Sequence, residues 1–314
     1  MAPTGVPNEG AAEAMTTDPS LSVITGERPR LTNLAYRFLG SLAEAEDAVQ
    51  EAYTRWYAMP RQKQEAVESP GAWLTTVASR VCLDVLGSAR ARRESYVGQW
   101  VPEPLPDRTE WTGAPGGAGT DPADRVTLDE SVDMAFLVVL EAMTPAERIA
   151  FILHDVFRYS FAEVAGILGR SPAACRQLAS SARRRIGSAR PDPVPAAGRA
   201  RVIRDFKRAW EAKDVAALVG LLDPDATLVA DGGGLVGAVL HPVTGAERVA
   251  RYLTGTGGRS TPGLALLERS VNGRPGLVAR FGDTTVTVAA FDLAGDRITR
   301  IWAVRNPEKL RTWN

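Results

Sequence analysis

Between Ser160 and Ile186 the chain carries two short amphipathic segments with matched start and stop signals, a pattern that few folds accommodate. Ser160 followed three residues later by Glu163 has the form of a capping box, and Phe161, Val164, Ala165 and Leu168 then recur on one helix face. Gly169 suits a left-handed helix end, Ser171 suits the next N-cap, and Pro172 sits where a missing N–H costs nothing. In the second segment Cys175, Leu178, Ala179, Ala182 and Ile186 form the inward stripe, which leaves Ala173, Arg176, Gln177, Ser180 and Arg184 on the other face. That is a helix-turn-helix whose outer face can reach base edges, with Arg183, Arg185 and Arg190 placed for phosphates. A plain helical hairpin with a solvated basic face is the alternative.

The rest of the chain must be consistent with such a reader. At 314 residues it has room for two or three domains, and 37 basic against 37 acidic side chains leave no net charge, so any nucleic-acid contact is local. The two cysteines, Cys82 and Cys175, each fall on an apolar helix face, which fits reduced thiols in a cytoplasmic protein; neither a disulfide nor a metal site is expected. No apolar run is long enough to span a bilayer, and no membrane partner is expected.

Residues 1–25 mix Pro, Gly, Thr and acidic residues without periodicity and read as a disordered tail. Leu31, Leu34, Ala35, Phe38 and Leu39 form one helical stripe; after a Ser41/Glu44 capping signal, Ala45, Ala48, Val49, Ala52 and Trp56 form a second. The outward face of the second helix carries Asp47, Gln50, Glu51 and Arg55, a surface that is solvated or docks a basic partner. Beyond Ser69-Pro70-Gly71 a third helix turns Leu74, Val77, Ala78, Val81 and Val85 inward and Arg80 elsewhere. It runs into a basic cluster, Arg90, Arg92 and Arg93, read together with Trp73 and Tyr96 as suited to single-stranded DNA; a basic helix end complementing its own dipole is equally consistent.

Residues 98–125 read as a linker that is stiff and extended from Gly98 to Pro106 and flexible at Gly116–Gly119. Helical signals resume at Val126, and Thr144-Pro145-Ala146-Glu147 is one more capping box, leading into Ile149, Ala150, Ile152, Leu153 and Val156. After a second linker at 191–199, Val202, Ile203, Phe206, Ala209 and Trp210 begin a helix, and Gly245 to Leu253 suggests another. From Leu264 the period switches to two. Val286, Val288 and Ala290 alternate with their neighbours, and after an Ala294-Gly295-Asp296 turn Ile298, Arg300, Trp302 and Val304 do the same, which predicts a hairpin in an antiparallel sheet and an α+β tail.

The order of acidic-faced helix, basic helix, linker, Thr-Pro-Ala-Glu-Arg helix and helix-turn-helix resembles the extracytoplasmic-function group of bacterial sigma factors, over roughly residues 26–190. The resemblance implies an all-α region 2 domain at 26–97, an all-α region 4 domain at 126–190, and core RNA polymerase and promoter DNA as partners. Asp47, Gln50 and Glu51 then match the polymerase-docking helix, and Arg80, Arg90, Arg92 and Arg93 the region that binds the melted minus-ten element. Ser171, Ala173, Arg176, Gln177 and Ser180, with Arg183 and Arg184, match the helix that reads the minus-thirty-five duplex.

Residues 200–314 resemble the SnoaL-like (NTF2-like) cone fold, in which a concave sheet and covering helices enclose a pocket with room for a small apolar ligand. Sigma factors with such a tail, the sigma J type, carry three motifs, present here as Trp100-Val101-Pro102-Glu103-Pro104, Asp231-Gly232-Gly233-Gly234-Leu235 and Asn306-Pro307-Glu308-Lys309-Leu310. Leu235 stands where the second motif has Lys, so that cation is absent from the glycine loop. The resemblance makes the three motifs a regulatory contact surface between tail, linker and helical domains, with no separate anti-sigma factor, no cofactor and no catalysis. Asp231 and His241 are the candidates for a general base in the enzyme alternative; a one-component regulator with an effector domain is the other, and it gives no role to the acidic helix or the basic cluster.

Overall fold

A computed structural model describes Ile24 and residues 26–94, 96–106, 132–189, 195–255 and 263–314, with 89–94 and 188–189 described through their backbone. The expected glycine run at 116–119, the helical restart at Val126, Arg190 and nearly all of the expected N-terminal tail lie outside the described residues.

Helix α1 (Arg28–Leu39) buries the expected stripe and ends on Gly40 at φ 68°, a left-handed cap. Helix α2 (Leu42–Tyr57) starts at Ser41, whose hydroxyl accepts the Glu44 N–H, and its inward stripe from Ala45 to Trp56 is buried. After the short α3 (Arg61–Glu65), the 25-residue α4 (Pro70–Glu94) crosses the bundle with Leu74, Ala78, Val81 and Cys82 inside.

The second helical body begins with α5 (Met134–Glu141), capped by Asp133, and α6 (Pro145–Phe151), which forms the full Thr144/Glu147 box and then widens into a π-helical turn at Ile152–Val156. Helices α7 (Phe161–Leu168) and α8 (Pro172–Ala189) follow. The Ser160/Glu163 box forms, Gly169 takes φ 63°, and Ser171 Oγ accepts the Ala174 N–H, so each expected signal of the helix-turn-helix is in place.

These caps have a pH consequence. The Ser160 hydroxyl and N–H hold the Glu163 carboxyl below the ordinary carboxylate range. Burial pushes Glu147 upward, but hydrogen bonds from Ser181 and Thr144 outweigh it and lower that group too. A depressed folded-state value stabilises the helices above the unfolded value of about 4.3 and is lost as pH falls through the folded one. Far-UV dichroism is therefore expected to show acid melting of this body, with a shallower pH dependence in Glu147→Gln/Glu163→Gln; an identical acid profile would contradict the cap assignment.

The two helical bodies share one core: Leu34, Phe38, Trp56 and Leu74 of the first cluster with Leu137, Ile149, Leu153 and Val164 of the second. Arg148 crosses this seam almost fully buried, its Nη1 donating to Phe38 O and to Glu141 Oε1, each at 2.7 Å.

The tail opens with α9 (Ala196–Glu211), so the helix begins inside the span expected to be a linker; Pro195 precedes it, where its lack of an N–H costs nothing. Helix α10 (Val215–Leu221), which the pattern did not single out, leads into β1 (Leu222–Asp231), then β2 (Val243–Thr244), α11 (Ala246–Thr254), β3 (Leu264–Val271), β4 (Arg274–Phe281), β5 (Thr284–Ala294) and β6 (Arg297–Val304). A 3-10 turn, Pro307–Trp313, ends the chain.

The six strands are ordered β2-β1-β6-β5-β4-β3. Strands β3 to β6 form an antiparallel meander, but β1 runs parallel to β6, so the sheet is mixed rather than antiparallel throughout. The expected alternation in β6 also fails at one place. Leu293 pairs with Ile298 and Asp292 with Arg300, so Thr299 is an extra residue, and Ile298 shares a face with Ile301 instead of Trp302.

Both sheet faces are covered. On one, α9, α10 and α11 close over the strands, and Ile203, Phe206, Leu253 and Phe291 are buried in one cluster there. On the other, Val278, Val288 and Trp302 pack with Val101 of the linker and Met134 of α5. The tail is thereby joined to both helical bodies.

Candidate nucleic-acid interface

The helix-turn-helix presents its outer face to solvent. Ser171, Ala173, Arg176, Gln177 and Arg184 are exposed and Ser180 is half-buried, while Cys175, Ala179 and Ala182 are buried beneath them. The Arg176 guanidinium lies 5.2 Å from the Phe161 ring centroid, and Phe161 in turn stacks on His154 at 3.8 Å. This sequence of rings aims a cation along the start of α8 without burying it. Arg184 reaches Ser180 Oγ at 3.2 Å. Arg183 donates to Asp155 at 2.6 Å, so in this conformation it braces α8 against the π-helical turn.

On the first body Asp47, Gln50 and Glu51 are exposed along α2, with Glu51 paired to Arg55. Arg80 differs from expectation. It does not face open solvent alone: its Nη2 donates to Gly166 O at 2.7 Å and its Nε to Ile167 O at 3.3 Å, both on α7 of the other body. The carbonyls near the end of a helix carry the negative end of its dipole, which suits a guanidinium. Arg90, Arg92 and Arg93 lie in α4 by backbone, and their side chains are outside the described residues. The proposed companionship of this cluster with Trp73 fails on distance, because 17 residues of helix separate Trp73 from Arg90, about 25 Å. Trp73 packs edge-on against Trp56 instead.

Tyr96, the other aromatic, belongs to a clamp built from the three motifs. Asp231, fully buried at the end of β1, receives four donors: Tyr96 OH at 2.6 Å and Gly233 N at 3.0 Å on Oδ1, Val101 N at 2.9 Å and Lys309 Nζ at 2.7 Å on Oδ2. Lys309 also donates to Val101 O at 2.6 Å and sits 4.0 Å from the Trp100 ring centroid. Lys309 is thus the cation that meets the Asp231 carboxylate. Burial, and next the bond to Asp231, push the Tyr96 hydroxyl above its ordinary range, which keeps it a donor. Asn306 completes the knot, its Nδ2 donating to Tyr96 OH and its Oδ1 accepting Glu308 N. A Cβ at Gly233, where φ is 65°, would stand 2.4 Å from the Asn306 amide, so both backbone conformation and space require glycine. Pro307 and Glu308 are exposed and shape the turn, and Leu310 is buried in the seam. Asp231 accepts four donors in this joint, and His241 lies exposed in the loop between β1 and β2.

The linker is gripped from the other side as well. Glu103 is buried, with its N–H on Gly40 O at 2.8 Å, its carboxylate on Leu42 N at 2.8 Å and Ser41 Oγ at 3.4 Å, and its carbonyl accepting from Tyr36 OH at 2.7 Å. Desolvation raises its carboxyl, partly offset by these donors and by Lys309. Pro104 O accepts Trp313 Nε1, and Pro102 lies against Gly40. The Asn272-Gly273 tip of the β3–β4 hairpin exchanges hydrogen bonds with Leu105 at 2.9 and 3.1 Å, and Asn272 Nδ2 reaches Tyr36 OH at 2.9 Å. Arg274 adds an ion pair to Asp133, the cap of α5, at 2.7 Å.

Tyr36, Asn272, Arg274 and Trp313 were not singled out by motif, and Arg148 entered only as the last residue of the Thr-Pro-Ala-Glu-Arg sequence. Only Asn272 carried a local signal, since Asn-Gly between apolar runs marks a two-residue hairpin turn. Gly40 offers a direct check of the grip: a Cβ there would meet Trp100 at 2.9 Å in a left-handed conformation. Gly40→Ala is expected to cost about 1–2 kcal/mol and shift tryptophan emission as Trp100 moves; unchanged emission and stability would refute the packing.

Sequence comparisons agree with this layout. The pattern of Sigma-70 region 2 matches residues 23–93 and that of Sigma-70 region 4 matches 133–186. The chain is 38% identical over 297 residues to the ECF RNA polymerase sigma factor SigJ of Mycobacterium tuberculosis, covering 90% of each chain. It is 34% identical to the relative described as "Probable ECF RNA polymerase sigma factor SigI" from the same organism, over 93% of this chain and 95% of that one. The crystal structure of M. tuberculosis SigJ superposes with a TM-score of 0.72, at 35% identity, over 93% of this chain and 98% of that one. The chain, with its two sigma regions in order and a tail that closes on both, belongs to the ECF RNA polymerase sigma factors and directs promoter-specific initiation of transcription.

Proposed function

We propose that the described conformation is a closed state of the sigma factor, held by its own tail, and that promoter engagement requires it to open. The observation that carries this reading is the single core shared by regions 2 and 4. Elements centred at minus ten and minus thirty-five lie about 25 base pairs apart, or roughly 85 Å along B-DNA. A compact body of about 130 residues is only about 35 Å across. One closed body therefore holds one element at a time.

In this reading Asp47, Gln50 and Glu51 dock core RNA polymerase and are already accessible. Ser171, Ala173, Arg176, Gln177 and Ser180 read the minus-thirty-five duplex, with Arg184 nearby and Arg183 released from Asp155 to meet phosphate. Arg80, Arg90, Arg92 and Arg93 serve the melted minus-ten element once the domains part. Arg80 is a switch in this set, because the contacts it makes with α7 occupy the guanidinium that DNA would use. The tail takes the place of a separate anti-sigma protein, acts with the polymerase in the cytoplasm, and catalyses nothing itself.

Reconstituted transcription with core polymerase tests the regulatory part. A chain ending at Pro191 is expected to differ from the full-length protein in output from a cognate promoter; identical output from both would discard tail control. Promoter binding should also fall steeply with salt, as arginine–phosphate contacts require. Arg176→Ala is expected to weaken it about tenfold or more through loss of a base contact, whereas Arg248→Ala, on the exposed face of α11, leaves it unchanged. Equal losses would refute the recognition helix.

A further inference from the structure

Helix α6 does not end cleanly. At Ile152–Val156 it widens into a π-helical turn, in which the Phe157 N–H donates to Ile152 O at 3.0 Å. Turns of this kind recur at functional sites. This one directs two neighbouring side chains at the helix-turn-helix. Asp155 accepts from Arg183 of α8 at 2.6 Å, and His154 stacks on Phe161, the first residue of α7, with ring centroids 3.8 Å apart and 23° between the planes. The His154 ring is itself fixed: its Nδ1 lies 2.8 Å from Tyr159 O, and a carbonyl only accepts, so Nδ1 carries the hydrogen.

Three arginines of α8 are held in three ways. Arg183 commits a donor and its charge to Asp155, and Arg184 commits a donor to Ser180 Oγ at 3.2 Å. Arg176 is held by a ring: its guanidinium carbon lies 5.2 Å from the Phe161 centroid, and among the described residues its side chain makes no hydrogen bond or ion pair. The difference matters chemically. A cation–π contact restrains a guanidinium without occupying an N–H, so all of its donors stay available. Arginine loses much rotamer freedom when it is fixed, and a ring that restricts it beforehand moves that cost from the DNA complex into the fold. Arg176 is exposed in the closed conformation, so this arrangement is usable without any parting of the domains.

We infer that Phe161, backed by His154, is a positioning residue for promoter recognition: it holds the Arg176 guanidinium in line with a base edge of the duplex and leaves its donors free to bind there. The fork of a guanidinium matches O6 and N7 of guanine, so guanine is the base whose selection Phe161 controls. The inference rests on the reading of Arg176 as a base contact. It moves part of the specificity off the recognition helix, onto the first residue of α7 and a π-helical turn that act only through Arg176.

The test equilibrates the full-length protein with a pool of DNA duplexes of randomised sequence and sequences the bound fraction. The parent is expected to enrich a guanine that Arg176→Ala no longer selects. Phe161→Leu keeps apolar bulk but removes the ring, and is expected to weaken selection of that guanine about fivefold while binding to a duplex lacking it stays unchanged. Phe161→Tyr restores the ring and should restore the selection. His154→Leu, which leaves Phe161 in place, should lower it about twofold and serves as the second variant should Phe161→Leu unfold α7. In an Arg176→Ala background Phe161→Leu is expected to add no further loss, as residues acting in one chain require. Guanine selection at the parent level in both Phe161→Leu and His154→Leu would overturn the inference. So would an equal loss on every duplex, or an undiminished loss in the Arg176→Ala background, either of which makes Phe161 a purely structural residue. If Arg176→Ala itself keeps every base preference, the base-contact reading fails and the inference with it; if Arg176→Ala loses the guanine and the ring variants keep it, the inference alone fails.

Discussion

Lys309→Met is expected to lower the stability of the tail–linker joint by about 3 kcal/mol, the low end of what breaking a buried ion pair costs. The ammonium is the cation in contact with a fully buried carboxylate, 2.7 Å away, and removing it leaves Asp231 with three neutral donors. Those donors hold the loss below the full penalty. The Trp100 cation–π contact adds on the order of 1 kcal/mol to what is lost. Urea unfolding followed by tryptophan emission should show an earlier transition, and protease should cut sooner between Trp100 and Pro106. Adding Asp231→Asn removes the stranded charge and is expected to restore part of the loss, with a coupling above 1 kcal/mol in the double-mutant cycle. Single and double variants within 0.5 kcal/mol of the parent would mean that the pair is not the joint's anchor.

Arg148→Met is the second large effect, and it acts on the seam between regions 2 and 4. The guanidinium is 2% exposed, burial pushes its ionisation down to about 10, and it spans Phe38 O and Glu141. Methionine fills much of the same volume yet leaves a buried carbonyl without this donor and Glu141 without this cation, at a cost of about 3–5 kcal/mol. Because α1 and α6 belong to different bodies, that cost falls on the closed state and shifts the balance towards the open one by about a hundredfold or more. Arg80→Ala removes two hydrogen bonds at the edge of the same seam and should open it far less. Interdomain energy transfer separates these cases; equal transfer in parent and Arg148→Met would refute the seam's role.

The helices and their ends were legible because their signals are local. Ser160/Glu163, Thr144/Glu147 and Gly169 each act within one turn, and each forms as read. The joints were not legible on the same grounds. Lys309 and Asp231 are 78 residues apart, and only the resemblance set their motifs side by side. Arg80 shows the complementary limit: its exposure on α4 was read correctly, but what faces it depends on how two bodies dock, and helix periodicity is silent on that. The sheet misled in a third way. Alternation implies one wet face, whereas Val288 and Ala289 are both buried because α5 and the linker cover the side that a free-standing tail would expose. One bulge at Thr299 then reversed the facing of Ile298, a change of register that no residue type announces.

The closed-state account stands on one distance. Labels on exposed positions of α4 and α7, such as Asp84 and Ala162, should report a short separation in the free protein, a longer mean in Lys309→Met and Arg148→Met, and one approaching 85 Å in a complex with core polymerase and promoter DNA. A complex that initiates transcription while keeping the short distance of the free protein would contradict the account.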